Sequence, residues 1–162
     1  MHDLVRDVAI WISKSPKDGC KSLVRSGMKL SEISVQDLSN LNSNSHQRVS
    51  FMDNKITRLP DSVIQCSEAS SLLLQHNLAL EMVPARFLQG FIALRLLNLG
   101  NTSIQSLPPS LLQLGDLRAL LLRNCSSLGE LPHWEGLVHF RCLILVALVS
   151  ENCQGGWKTC AI

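Results

Sequence analysis

The sequence predicts an α/β solenoid, in which short parallel strands stack side by side in successive coils of the chain. Three observations predict this fold class. A Leu-Pro or Val-Pro step recurs every 24 residues, and each step follows a block of regularly spaced aliphatic residues. The 162 residues are also 46% hydrophobic but only 4% aromatic, with no Tyr, as expected of an evenly layered aliphatic core.

The repeats define the central part of the chain, residues 48–143. The steps lie at Leu59-Pro60, Val83-Pro84, Leu107-Pro108 and Leu131-Pro132. The clearest block before a step reads Leu94-x-x-Leu97-x-Leu99 and continues to Thr102 and Ile104. A period of roughly 20–29 residues with this leucine spacing is typical of leucine-rich repeats. The sequence therefore predicts four repeats and the start of a fifth, forming a short horseshoe with parallel strands on its concave face.

The spacing of the aliphatic residues has a direct physical meaning. Successive side chains of a strand point to opposite faces, so the x-Leu-x-Leu-x part of each block buries alternate residues. The side chain that follows each strand is predicted to bond main-chain groups that the sheet leaves unpaired. These side chains belong to Asn54, Asn77, Thr102 and Cys125. The proline then ends the ladder, and residues such as Ser110–Leu114 are predicted to form a short helical turn.

The same alternation predicts which residues lie on the concave face. The candidate protein-binding residues are Met52, Asp53, Gln75, His76, Asn98, Asn101, Arg123 and Asn124. Ser50, Leu73, Leu96, Gly100 and Leu121 are predicted to share this face. Two interpretations are open: the face recognises a partner, or it is a solvated sheet surface whose leucines are covered by a neighbouring domain.

The N-terminal segment does not follow the repeat. Residues 1–14 carry aliphatic residues and a Trp on one face at helical spacing, which predicts a helix that Pro16 and Gly19 end. Residues 31–47 are rich in Ser and Asn and are predicted to be a linker or a capping element before the first repeat. The fold is therefore expected to begin with a helical segment.

Two stretches resemble a known family. Residues 1–9 read Met-His-Asp-Leu-Val-Arg-Asp-Val-Ala and resemble the Met-His-Asp motif of plant intracellular immune receptors of the nucleotide-binding (NB-ARC), leucine-rich-repeat class. The block from Arg48 to Pro60 resembles the first repeat of the coiled-coil subclass of that family. The resemblance covers about residues 1–141. It implies that residues 1–30 are the end of the winged-helix part of the nucleotide switch.

The resemblance also implies roles for two residues. In the family, the motif histidine contacts the β-phosphate of ADP and the aspartate helps to hold the switch closed, so only His2 and Asp3 can inherit these roles. The sequence has no G-x-x-x-x-G-K-S/T loop, and ADP or ATP binding is therefore assigned to the full-length family, with no cofactor expected in this fragment. The alternative is that Asp3 caps the start of a helix.

The tail, residues 144–162, departs from the pattern. Leu143 stands where a repeat leucine is due, but no further Leu-Pro step follows. The tail can be encoded by bases that, read one position earlier, give a well-formed fifth repeat ending in Leu-Pro. One hypothesis is therefore a frameshift or a splicing error near codon 144, which genomic DNA or a transcript would decide.

Several function classes are disfavoured. The histidines have no spacing typical of a metal site, no catalytic motif is present, and an enzyme is not expected. A net charge of +2 without a basic run argues against nucleic-acid binding. The longest apolar run is too short for a membrane span. Six scattered cysteines without a CxxC pair favour reduced thiols in the cytoplasm, where partners could hold the protein at a membrane.

These observations predict a fragment of a plant immune receptor that acts in defence through protein recognition or autoinhibition. The expected partner is a pathogen effector, a modified host protein or the receptor's own nucleotide-binding domain in trans. The alternatives are a free-standing intracellular leucine-rich-repeat adaptor and the product of a pseudogene. Upstream DNA would discriminate between them, because only a receptor gene has a phosphate-binding loop in frame before Met1.

Overall fold

The fold is a parallel solenoid, as predicted. A computed structural model describes residues 21–34, 46–129 and 144–146, and the predicted N-terminal helix lies outside this part of the chain. Within the described residues, six parallel strands form one sheet in the order β1 to β6. They are Lys21–Val24 (β1), His46–Ser50 (β2), Ser71–Leu73 (β3), Leu96–Asn98 (β4), Ala119–Leu121 (β5) and Ile144–Val146 (β6). Strands that are neighbours in sequence are neighbours in the sheet, so each coil adds one strand.

The register of the sheet builds the core in layers. Val49, Leu72, Leu97 and Leu120 stand opposite one another on β2 to β5. All four are at most 1% exposed. A second buried layer follows two residues later at Phe51, Leu74, Leu99 and Leu122. Because strand side chains alternate, the two layers lie on one face and the residues between them lie on the other.

The turn side chains act as predicted. Asn77 is fully buried, and its Nδ2 donates to Leu74 O at 2.7 Å and to Phe51 O of the preceding coil at 3.0 Å. Its Oδ1 accepts from the backbone N–H of Ile56 at 3.1 Å. In later coils Thr102 donates to Leu99 O at 2.7 Å, and the Cys125 thiol lies 3.1 Å from the same oxygen. These side chains therefore connect main-chain groups within and between coils.

The return paths of two coils run through a short helical turn. Pro84 precedes α1, Ala85–Gln89, and Pro108 precedes a 3-10 helix, Pro109–Gln113. The second element confirms the helical turn predicted around Ser110–Leu114. Gly90 ends α1, where the neighbouring coil comes very close: a Cβ on Gly90 would lie 1.6 Å from Ile64 O. Only glycine leaves room for this backbone contact.

The sheet begins earlier than the predicted start of the repeats at residue 48. Strand β1 pairs in parallel with β2, and Leu23 stands opposite Val49. The backbones of Glu32 and Arg58 form an isolated parallel β-bridge. Residues 21–34 therefore run alongside the next coil. We call this stretch the capping coil. Its sequence does not reveal it, because Arg25 and Met28 occupy the places of Phe51 and Asn54.

The sheet also extends beyond residue 143. Strand β6 pairs with β5 inside the segment that the sequence analysis treated as a divergent tail. The structure places Leu145 opposite Leu120, and Leu143, where a repeat leucine is due in the sequence, lies outside the described residues. Three aliphatic residues are enough to extend a parallel ladder without a repeat consensus.

Candidate protein-binding face

The solenoid presents one side of its sheet away from the core, and we call this side the open face. In each coil it comprises the residues immediately before and after the two buried strand residues, together with the first residue of the turn that follows. From β2 to β5 these are Arg48, Ser50, Met52, Asp53, Ser71, Leu73, Gln75, His76, Leu96, Asn98, Gly100, Asn101, Ala119, Leu121, Arg123 and Asn124. The sheet places the eight predicted binding residues together on this face.

One row of the open face has an unusual backbone conformation. Asp53, His76, Asn101 and Asn124 have φ angles of 60°, 62°, 55° and 56°. This left-handed region is rare for residues with a side chain, and Asn, Asp and His are the types that enter it most readily. The residue types therefore carried a signal for this turn that the sequence analysis did not use. The turn aims four polar side chains from successive coils along one edge of the sheet.

Three of these side chains are linked across the coils. Asn124 donates from Nδ2 to Asn101 Oδ1 at 2.9 Å. Asn101 Nδ2 lies 3.3 Å from His76 Nε2, which accepts when the imidazole is neutral and its proton is on Nδ1. Side chains that are already held in a row lose less conformational freedom when a partner binds.

Met52 is the exception among the predicted binding residues. It is 4% exposed, whereas Asp53, His76, Arg123 and Asn124 are exposed and Gln75, Asn98 and Asn101 are partly exposed. On one side Met52 pairs with the capping coil, whose Gly27 N–H donates to Met52 O at 3.1 Å. On the other side, Gln75 Nε2 lies 3.5 Å from Met52 Sδ. The assignment of Met52 to an accessible surface was therefore wrong.

Two arginines beside the open face were not among the predicted binding residues. Arg95 and Arg118 come directly before β4 and β5, and both are exposed. The Arg118 N–H donates to Arg95 O at 2.8 Å, so the two residues occupy equivalent places on neighbouring coils. Their position in the sequence could have indicated this, because each lies between the first two leucines of a Leu-x-x-Leu block, where a side chain cannot enter the core.

The remaining predictions concern nucleotide binding, metal binding, free thiols and membrane spans. His2 and Asp3, the residues that the family resemblance connects with ADP, lie outside the described residues. In the part of the chain that the structure describes, no group of three or more His, Cys, Asp or Glu side chains is placed to hold a metal ion. The two cysteines in that part, Cys66 and Cys125, are buried free thiols. Among residues 21–34, 46–129 and 144–146, no helix has the length and apolarity needed to cross a bilayer.

Comparison with known proteins places the sequence among plant proteins. A disease resistance protein of Arabidopsis thaliana is 48% identical over 147 residues, which is 90% of this chain and 14% of that protein. A probable disease resistance protein of the same plant is 46% identical over 85% of this chain and 15% of its own length. The Arabidopsis disease resistance protein RPS5 is 35% identical over 93% of this chain and 20% of its own length. No protein-family model matches the sequence.

Among solved structures, the leucine-rich repeat domain of the type III effector XopL resembles this fold with a TM-score of 0.46 and 17% identity. The match covers 92% of this chain and 65% of that domain. The chain spans about one seventh of the length of the first two plant relatives. The similarity nevertheless runs through nearly all of this chain, including the repeats. This confirms the resemblance seen in the sequence: the chain belongs with the disease resistance proteins of plants, and it corresponds to a segment of them that contains leucine-rich repeats.

Proposed function

We propose that this chain is the part of a plant intracellular immune receptor in which the first leucine-rich repeats recognise a protein or restrain the receptor. The observation that carries the proposal is the 48% identity to a disease resistance protein across 90% of the chain. The relatives that match most of this chain are disease resistance proteins, which favours an immune receptor over a free-standing adaptor. The partner would be a pathogen effector, a modified host protein or the receptor's own nucleotide-binding domain.

The geometry suits binding rather than catalysis. The open face offers exposed polar and charged side chains on a rigid parallel sheet, and the core behind it is closely filled. Ligand binding can shift a receptor between two states only by the difference in its affinity for them. We propose that contacts on the open face supply this difference. The ADP contact that the resemblance implies for His2, and the role in holding the switch closed that it implies for Asp3, remain part of the proposal and concern the intact receptor.

Site-specific crosslinking tests the proposed role of the open face. A photo-reactive amino acid is introduced at Asn98, on the face, or at Ile92, which is 66% exposed but lies outside the face. Each purified protein is illuminated in leaf extract from the source plant, and adducts are resolved by mass. We expect a discrete protein adduct from position 98 that position 92 does not give. Equal adducts from both positions, or none from position 98, would contradict the proposal.

A further inference from the structure

The charges around the open face are unbalanced. Arg48 and Arg123 lie on it, and Arg95 and Arg118 stand at the start of its strands. Its one carboxylate is Asp53, which follows β2, at the opposite side of the face from β5. The half of the face formed by β4 and β5 therefore carries Arg123, has Arg95 and Arg118 beside the start of its strands, and includes no acidic residue among those described. Such a surface attracts acidic partners and repels basic ones.

Two of the arginines are placed where they disfavour each other. Arg95 and Arg118 occupy equivalent positions on adjacent coils, and like charges directly opposite each other in a sheet are destabilising. Among the described residues, no carboxylate pairs with Arg95, Arg118 or Arg123. Asp116 precedes Arg118 by two residues but lies in the turn before the strand. An anionic partner would relieve this repulsion, which the carboxylates among the described residues leave in place.

The arginines enclose an apolar centre. Leu96 pairs with Ser71 and Ala119, so Leu73 on β3 and Leu121 on β5 lie diagonally on either side of it. All three leucines are partly exposed. Arginine at the rim of a small aliphatic patch is a composition typical of protein-binding surfaces. A partner that fits must therefore offer aliphatic side chains between its acidic ones.

The dimensions indicate what form the partner takes. The residues at positions 118 and 123 are five apart, about 16 Å along an extended chain. Four strands are about 14 Å across, so the face measures on the order of 220 Å². A standard interface with a folded protein needs about 800 Å² on each side. An extended segment of five or six residues matches the face better than a folded domain does.

We propose that the part of the open face bounded by Arg95, Arg118 and Arg123 binds an extended acidic segment of a partner protein. Carboxylates about five residues apart pair with the arginines at the two ends of β4 and β5. Aliphatic side chains between them contact Leu96 and Leu121. This inference rests on the proposed function and names the chemical class of the partner.

Selection from a random nine-residue peptide library, displayed on phage, tests the inference with the whole chain as bait. We expect enrichment of peptides that alternate Asp or Glu with aliphatic residues. Their affinities are then measured by fluorescence anisotropy at low and high salt. Arg95→Gln combined with Arg118→Gln should weaken binding about tenfold at low salt, since each exposed ion pair contributes modestly. Arg86→Gln, an exposed arginine on α1, is the matched control and should change nothing.

A second pair of variants separates the inference from the proposed function. Leu96→Ser alters the open face, and Ile92→Ser alters an exposed aliphatic residue outside it. Circular dichroism confirms that each variant is folded. If the enriched peptides are neutral or basic and Leu96→Ser weakens them, the acidic partner is wrong but recognition by the face stands. If acidic peptides bind equally to the Arg95→Gln, Arg118→Gln variant, the inference is also overturned. If no selected peptide is weakened by Leu96→Ser, the inference and the proposed function both fail.

Discussion

At the scale of single residues, side chains that reach across from one coil to the next hold the solenoid together. Asn54 shows this most fully. Its Nδ2 donates to Arg25 O at 2.7 Å, and its Oδ1 accepts from the N–H groups of Met28 and Leu30 at 2.9 and 3.2 Å. Main-chain N–H and C=O groups that lie between coils have no hydrogen-bond partner in the β-sheet. Leaving such a group buried without a hydrogen bond costs about 1–3 kcal/mol. A single amide therefore fixes the path of a neighbouring coil.

The contact at Gly90 gives a prediction about backbone packing. Gly90→Ala would place a Cβ 1.6 Å from Ile64 O, so one backbone segment must move. We expect the free energy of unfolding to fall by about 3 kcal/mol, measured by urea denaturation. Gly115→Ala is the control, because a Cβ there meets no atom within 4 Å. A loss of similar size in both variants would contradict the role of the Ile64 contact.

The buried thiol of Cys66 gives a prediction about pH. Burial raises the pKa of this thiol to about 11 from 9.0. The unfolded chain therefore loses the Cys66 proton at lower pH than the folded chain. The contribution of the neutral thiol to the free energy of unfolding is present below pH 9 and is lost as the pH rises to 11.

The comparison between wild type and Cys66→Val isolates this effect. Their difference in free energy of unfolding should move in favour of the valine variant between pH 9 and 11. The other titrating groups are common to both proteins and cancel. A difference that stays constant over this range would show that the thiol is not protected from solvent.

At the scale of elements, the capping coil is the first coil of the sheet among the described residues. Ile33 is buried to 4% exposure in the same cluster as Ile56 and Leu59. Lys55 and Thr57 donate from their N–H groups to Leu30 O and Ser31 O at 2.9 and 3.0 Å. These contacts attach the capping coil to the first repeat although its sequence matches the repeat consensus poorly.

Removing one amide tests whether Asn54 attaches the capping coil. In Asn54→Ala, the N–H groups of Lys55 and Thr57 should lose protection from hydrogen exchange, whereas those of β4 and β5 should keep it. The physical reason is that coils contact only their neighbours, so local opening need not spread. Thr57→Ala is the control, because the Thr57 hydroxyl makes one exposed bond of 3.4 Å. Unchanged protection in Asn54→Ala would contradict this role.

At the scale of the whole molecule, one continuous core joins all the described coils from Ile33 to Cys125. No coil could bury its leucines alone, since each buried layer consists of residues from successive strands. The open face and the core are the two sides of the same sheet. The position of a residue in the two-residue period therefore decides whether it contributes to stability or to binding.

Adjacent leucines of one strand test this division directly. Leu97 is fully buried, and its neighbour Leu96 lies on the open face. Leu97→Ala should lower the free energy of unfolding by about 2–5 kcal/mol, and Leu96→Ala by less than about 1 kcal/mol. Thermal and urea unfolding of the two variants measure both effects. Equal losses would mean that the assigned faces of β4 are wrong.

The sequence by itself determined the solenoid, the buried leucines, the turn side chains and the face on which candidate binding residues lie. These features repeat, and their period alone decides whether a side chain is inside or outside. Only the tertiary structure decided that residues 21–24 and 144–146 belong to the sheet, because the capping coil and β6 join by backbone pairing without the repeat consensus. It also decided that Met52 is covered and that Arg95 and Arg118 stand side by side. Contacts between coils join residues that are more than 20 positions apart in the sequence, and no local sequence pattern specifies which of them pair.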